Sequence, residues 1–431
     1  MKKIKKFLLT YVILIILLMG VLVLACSFPS SWIKDNVVRS SETLSQEGNR
    51  KICFIVHKFQ WQEFDNYSDS LMINTAYSID SKTPVYAAFT AKKNYIPGVT
   101  KEIQEDVVGE LKSSAKYEKH DEVGELEDTV NGISTESFEY AKYWHGYLSI
   151  LRPLLLILDY HKIRILITIV LAILAIIVTT EIAEKKNYTI ACLYLFSLMS
   201  VEYFYIGLTL INSIMFLIMM MASLILVKRY QKIKDFNLFF FVIGICVGFF
   251  GLLDIPLLTF ASPLILFFVF QDGEGTGNGK QIFQFLFFWI LGYALTWMAK
   301  WVLMDMIYHR HLLQTALEQV LYRSIGKNLS PLLAICINLL SMALPIMIAI
   351  MIILYLYLRY HENINSVTRK KARVFFIISI LPMIWYMILA NHSVNHFFFA
   401  YRLLFISMLS GLLWIYYLCG EPENSNQKGT N

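Results

Sequence analysis

Apolar runs of near-constant length recur along this chain, separated by short polar or basic connections. The first runs from Phe7 to Ala25, and the last ends at Cys419. A helix needs roughly 20 apolar residues to cross about 30 Å of hydrocarbon, so the pattern predicts a row of transmembrane helices. Span 2 covers about Arg164 to Ile182, span 5 about Phe239 to Leu253, and span 8 about Leu329 to Leu358 with Pro345 inside it. The full pattern gives about ten spans. The expected fold class is an all-α polytopic membrane protein with a large mixed α/β extracytoplasmic loop between spans 1 and 2. Its parts are an N-terminal anchor (1–26), a loop subdomain (27–162), a multi-span domain (163–419) and a polar tail (420–431).

Within the loop the periodicity changes character. Phe28 to Val38 reads as an amphipathic piece at the interface, and Ile52 to Val56 as a short β-branched strand. The stretch Trp61 to Tyr77, WQEFDNYSDSLMINTAY, reads as helix, with Leu71, Met72 and Ala76 as its buried side. It sets Asp65 and Asp69 one helical turn apart, a spacing also common on solvated helices. Lys101 to Glu139 is acidic and poor in large apolar residues, as expected of a mobile lobe or lid edge. Phe138 to Leu158 is amphipathic and aromatic, broken at Arg152-Pro153, and suits the headgroup level. Asp305 to Asn328 reads as a second amphipathic segment on the outer side.

Composition agrees with the span count: 57% of residues are hydrophobic and 16% charged. The net charge of +6 resides largely in short loops between spans, so it reports orientation and implies no nucleic-acid partner. Lys2, Lys3, Lys5 and Lys6 hold the amino terminus in the cytoplasm, and later basic loops alternate so that the carboxyl terminus is cytoplasmic too. The expected location is a bacterial plasma membrane. Val23-Leu24-Ala25-Cys26 loosely resembles a lipoprotein cleavage site, but the preceding apolar run is longer than a signal core, which favours an uncleaved anchor. The cysteine spacing makes no metal or redox motif.

Sorting polar residues by membrane face then gives candidate chemistry. Asp65, Asp69, His145, Arg152, Glu202, Asp254, Lys300, His392, His396 and Arg402 all fall at or just beneath the outer face. Ionisable groups at the edge of hydrocarbon are costly unless paired or wet, so they imply an outward-opening cavity. Tyr143-Trp144-His145-Gly146-Tyr147 with Arg152 suits a lipid phosphate, or an aromatic belt with a snorkelling Arg. Asp254-Ile255-Pro256 interrupts an apolar run, either to line a site or to cap the next helix. His392 and His396 share one helical face before Arg402, which fits phosphate recognition, or a plain outer turn. No acidic third ligand for a metal follows nearby. No phosphate-binding glycine loop is present; the glycine-rich Gly273 to Gly279 reads as linker, and His309-Arg310-His311 as helix surface.

The segments DNYSDSLMINTAY (65–77), YWHGYLSILRPLL (143–155), FFGLLDIPLLT (249–259), LGYALTWMAKW (291–301) and NHSVNHFFFAYR (391–402) resemble uncharacterised multi-pass membrane proteins of Gram-positive bacteria. At the level of architecture the chain looks like the GT-C class of membrane glycosyltransferases. That class places an acidic catalytic residue in the first outer loop and binds a polyprenyl-phosphate-linked sugar against the later spans. The resemblance implies sugar transfer to a cell-envelope glycan or protein acceptor. Asp65 by preference, or Asp69, would act as general base on the acceptor hydroxyl, with Asp254 as rival. Arg152, Lys300 and Arg402 would stabilise the leaving phosphate, and His145, His392 and His396 would lie on the lipid-donor side. The Asp-x3-Asp spacing departs from the closer acids more usual there. No cofactor is expected, and a divalent metal stays open. The competing readings are a transporter or scaffold for lipid-linked glycans, and a polysaccharide polymerase or ligase.

Overall fold

The computed structural model describes residues 2–48, 52–56, 59–62, 65–95, 122–134, 136–252, 254–272, 277–309, 312–325, 330–359 and 366–419. Most of the acidic lid segment, residues 273–276 of the glycine-rich linker, Arg310 and His311, and the tail 420–431 lie outside them. Among the described residues, six helices are long and apolar enough to cross a membrane: Lys3–Ser27, Tyr160–Lys185, Leu210–Lys232, Lys280–Tyr308, Thr368–Ile388 and Phe397–Leu418. Pro331–Leu340 and Pro345–Ile353 make a seventh if their 79° bend is one broken span. Tyr188–Ser200, Phe236–Phe250 and Leu257–Phe270 are apolar but shorter. The chain is therefore a helical multi-pass membrane protein.

The segment after the first span carries helices Lys34–Glu47, Asn66–Tyr77, Pro84–Thr90 and Glu122–Val130. Two antiparallel ribbons accompany them, Ile52–Val56 with Phe59–Gln62 and Lys92–Tyr95 with Glu136–Glu139. The expected helix through Trp61 is corrected: Trp61 and Gln62 pair in a ribbon, and the helix begins only at Asn66. The reason is local. Asp65 takes the cap, accepting the Ser68 N–H at 3.2 Å and the Ser68 hydroxyl at 2.9 Å. Met72 and Ala76 are buried as expected, whereas Leu71 is half-buried.

The lobe core includes Ile33, Val37, Leu44, Met72, Ile73, Ala76, Trp144 and Leu148, and it is continuous with Leu22 and Cys26 at the end of the first span. A larger core runs through the later helices. Between them, Phe236–Phe250 and Lys280–Tyr308 cross very closely. A methyl group on Gly244 would overlap the Trp289 carbonyl oxygen, and one on Gly292 the Phe241 carbonyl oxygen. Gly244 and Gly248 form a small-xxx-small pair that lets the two backbones meet. This crossing fixes the helix that carries Tyr293 and Trp297 against the helix that leads into Asp254.

Candidate functional site

Four of the conspicuous charges are spent on structure. Asp69 is fully buried and accepts the Leu210 N–H at 3.0 and 2.8 Å, the Ile211 N–H at 3.2 Å and the Tyr160 hydroxyl. Leu210 and Ile211 open the Leu210–Arg229 helix, so Asp69 closes its otherwise unpaired amino end. Behind it, Arg164 donates to Tyr160 Oη at 2.7 Å, to Asn66 Oδ1 at 2.6 Å and to both Glu47 carboxylate oxygens at 2.8 Å. Burial pushes the Asp69 carboxyl up to about 7; Tyr160, Leu210 and Arg164 pull downward, and the Asp65 charge adds to the rise.

Arg152, also fully buried, donates to the carbonyls of Ala25 at 2.8 Å, Phe28 at 2.6 Å and Ala76, and to Ser30 Oγ at 3.4 Å. Ala25 and Ala76 are in the last turns of the first span and of Asn66–Tyr77, whose final carbonyls have no partner within the helix. Lys300 repeats the device: its ammonium donates to the Phe89 carbonyl at the end of Pro84–Thr90 and sits 5.2 Å from both the Phe89 and Trp144 rings. His145 is buried, with Nε2 2.6 Å from the Tyr140 carbonyl and Nδ1 3.1 Å from the Tyr147 hydroxyl. The carbonyl can only accept, so Nε2 carries the proton and Nδ1 accepts from Tyr147. Burial holds the imidazole at about 3, hence neutral; the Tyr140 carbonyl opposes that, and the Lys300 and Lys142 charges reinforce it. Arg402 is committed as well, 3.9 Å from Glu202 Oε2 and donating to the Phe398 carbonyl at 3.3 Å.

Asp254 differs from all of these. It is 4% exposed, and among the described residues neither carboxylate oxygen has a side-chain partner, only the Ile255 and Asp254 N–H groups lying near it. The capping reading fails for a physical reason. The next helix, Leu257–Phe270, starts behind Pro256 with no side-chain cap. The Leu258 and Thr259 N–H groups turn back to the Ile255 and Pro256 carbonyls at 3.3 and 3.0 Å. Burial raises the Asp254 carboxyl to about 7, and the nearby Ile255 and Asp254 N–H groups offset only part of this.

Unpaired polar atoms gather around it. The His392 ring lies against the Asp254 backbone, its Nε2 buried and unpartnered, 4.6 Å between centroids from His396. Burial keeps His392 well below the ordinary imidazole range, with the His396 and Arg323 charges acting the same way and the Asp254 backbone opposing them. Tyr293 feels both Asp254 and Arg323. Trp297, one turn along, is buried beside Tyr293 and packs 5.4 Å from Tyr143. The Tyr140 to Tyr147 loop is pinned over this region. Trp144 Nε1 donates to the Thr296 carbonyl at 2.7 Å, Trp301 Nε1 to the Lys142 carbonyl at 3.1 Å, and the Gly146 N–H to the Phe249 carbonyl at 3.1 Å. A side chain at Gly146 would strike the Phe249 ring and carbonyl.

The structure thus brings together Asp254, His392 and His396 from the candidate set and adds Tyr143, Tyr293, Trp297 and Arg323. The last sits on Leu312–Ile325, the segment expected to be an outer amphipathic helix. Its signal in the sequence is one cation in the last turn, Tyr322-Arg323-Ser324-Ile325. Among the described residues, no group of three or more His, Cys, Asp or Glu side chains converges as a metal site requires. No protein-family model, curated protein or solved structure matches the chain.

Proposed function

We propose that the chain is a GT-C-like membrane glycosyltransferase that moves a sugar from a polyprenyl-phosphate donor to a cell-envelope acceptor on the outer face of a bacterial plasma membrane. In this reading the three shorter apolar helices and the bent pair complete about ten spans. Both termini lie in the cytoplasm, and the lobe after the first span lies outside.

The observation that carries the reading is Asp254: a buried carboxylate with no side-chain partner among the described residues, its proton affinity near neutrality. An unpaired buried carboxylate costs stability and is retained where chemistry needs it. Asp254 would take the proton from the acceptor hydroxyl as that oxygen attacks the anomeric carbon. The bond from that carbon to the lipid phosphate breaks, and the phosphate leaves with the electron pair. His392, neutral and with a free ring nitrogen, would orient the hydroxyl by hydrogen bonding. Asp69, closed around by Leu210, Ile211 and Tyr160, would hold the lobe on the membrane helices.

The test is transfer of labelled sugar from a polyprenyl-phosphate donor in membranes with matched protein amounts. Asp254→Asn should lower the rate by roughly 100-fold or more, the range for loss of a general base. Wild-type rates in Asp254→Asn would sink the assignment, and absence of transfer by the wild type would sink the reaction class.

A further inference from the structure

Resting on the proposed reaction, but on different residues, is the question of what holds the anion. The cations singled out by the sequence are engaged: Arg152 by backbone carbonyls, Lys300 by the Phe89 carbonyl, Arg402 by Glu202 and the Phe398 carbonyl. Arg164, which the structure adds, is held by Glu47 and Asn66. Arg323 is different. Its one bond among the described residues is from Nη2 to the Tyr143 hydroxyl at 3.3 Å, and it has no carboxylate partner there. Its charge is felt by Tyr140, Tyr143, Tyr293 and His392, which come from the lobe loop, the long Lys280–Tyr308 helix and the 390–395 turn. Asp254 acts on the same Tyr293, yet the two opposite charges form no ion pair with each other.

The helix bearing Arg323 is fastened at both ends. Asp305 accepts the Leu312 N–H at 2.5 Å and the Leu313 N–H at 3.3 Å at its start, and Asn391 donates to the Tyr322 carbonyl at 3.1 Å near its end. A half-buried guanidinium on a clamped helix, facing aromatic hydroxyls and lacking an anion, is prepared for one from outside the protein. We infer that Arg323 holds the phosphate of the lipid donor, with the Tyr143 hydroxyl and the His392 ring beside it and Tyr293 separating that phosphate from Asp254.

Binding of farnesyl phosphate, farnesol and inorganic phosphate to the purified full chain in detergent tests this. The wild type should bind farnesyl phosphate at least tenfold more tightly than farnesol. Arg323→Gln should erase that preference, Arg323→Lys should keep part of it, and the exposed control Arg369→Gln should leave it intact. Farnesol binding unchanged in every variant reports that each is folded. Equal farnesyl phosphate binding by wild type and Arg323→Gln, or no preference over farnesol in the wild type, overturns the inference. Inorganic phosphate binding as tightly as farnesyl phosphate would reassign the site to a free anion. Asp254→Asn should bind farnesyl phosphate normally while losing transfer. A phosphate preference that depends on Arg323 in a protein with no transfer activity would therefore overturn the proposed reaction and leave Arg323 standing.

Discussion

Asp69 offers the sharpest quantitative test, because one carboxylate joins the lobe to the start of a membrane helix. Its carboxyl lies near 7 in the folded chain and near 3.9 in the unfolded chain. The folded state therefore binds the proton more tightly, and stability from this group is fully present below about pH 4. It is lost as pH rises through about 7 and flattens beyond. A shift of about three pH units is worth about 4 kcal/mol in all, of which roughly 2.5 kcal/mol falls between pH 5 and 7.5. Asn at this position does not titrate, so the difference between wild type and Asp69→Asn isolates the term from every other group. Asp69→Ala acts otherwise. It strands the Leu210 and Ile211 N–H groups and the Tyr160 hydroxyl, at about 1 to 3 kcal/mol each, so a loss of about 3 to 9 kcal/mol is expected at any pH. Detergent-driven unfolding followed by tryptophan fluorescence at pH 5, 6 and 7.5 measures both. Wild type should weaken relative to Asp69→Asn as pH rises; parallel profiles, or an Asp69→Ala protein as stable as wild type, would refute the reasoning.

Other expectations follow from the same geometry. Arg152→Gln should cost roughly 3 kcal/mol or more in the same unfolding assay, because the Ala25, Phe28 and Ala76 carbonyls lose their donors together. Gly244→Ala should cost about 1 to 3 kcal/mol and depress transfer with it, since its methyl would push the Trp289 backbone away and displace the helix bearing Tyr293 and Trp297. Transfer by the wild type should rise as pH increases through about 7, as Asp254 loses its proton and becomes competent as a base. A rate that falls over that interval would count against Asp254 in this role.

That the chain crosses a membrane several times was legible because hydrocarbon thickness asks one length and composition of a crossing helix, which six helices among the described residues meet, while Tyr188–Ser200, Phe236–Phe250 and Leu257–Phe270 are shorter. The Ile52–Val56 strand and the buried Met72 and Ala76 were legible from local periodicity. The roles of Asp69, Arg152 and Lys300 were not, since their partners lie 141, 127 and 211 residues away. Nothing local says which distant helix end a charge will meet. The Gly244-xxx-Gly248 spacing was present in the chain and signals close helix packing, but its partner Gly292 becomes apparent only once the two helices cross.

These assignments share one cause. A helix end in a poorly hydrated setting leaves N–H or carbonyl groups without partners, and an opposite charge is the strongest partner within reach. Ionisable residues near span ends are therefore recruited first by helix termini, which makes their clustering at one depth weak evidence for catalysis. Better evidence is a charge left over where the neighbouring termini are already satisfied. No side chain, Asp254 included, caps the start of Leu257–Phe270: Pro256 removes one donor there, and the Ile255 and Pro256 carbonyls accept the Leu258 and Thr259 N–H groups. Asp305 and Asn391 do the same for the ends of the helix carrying Arg323. Asp254 and Arg323 both act on Tyr293, and among the described residues they form no ion pair with each other, so theirs are charges that the neighbouring helix ends leave available.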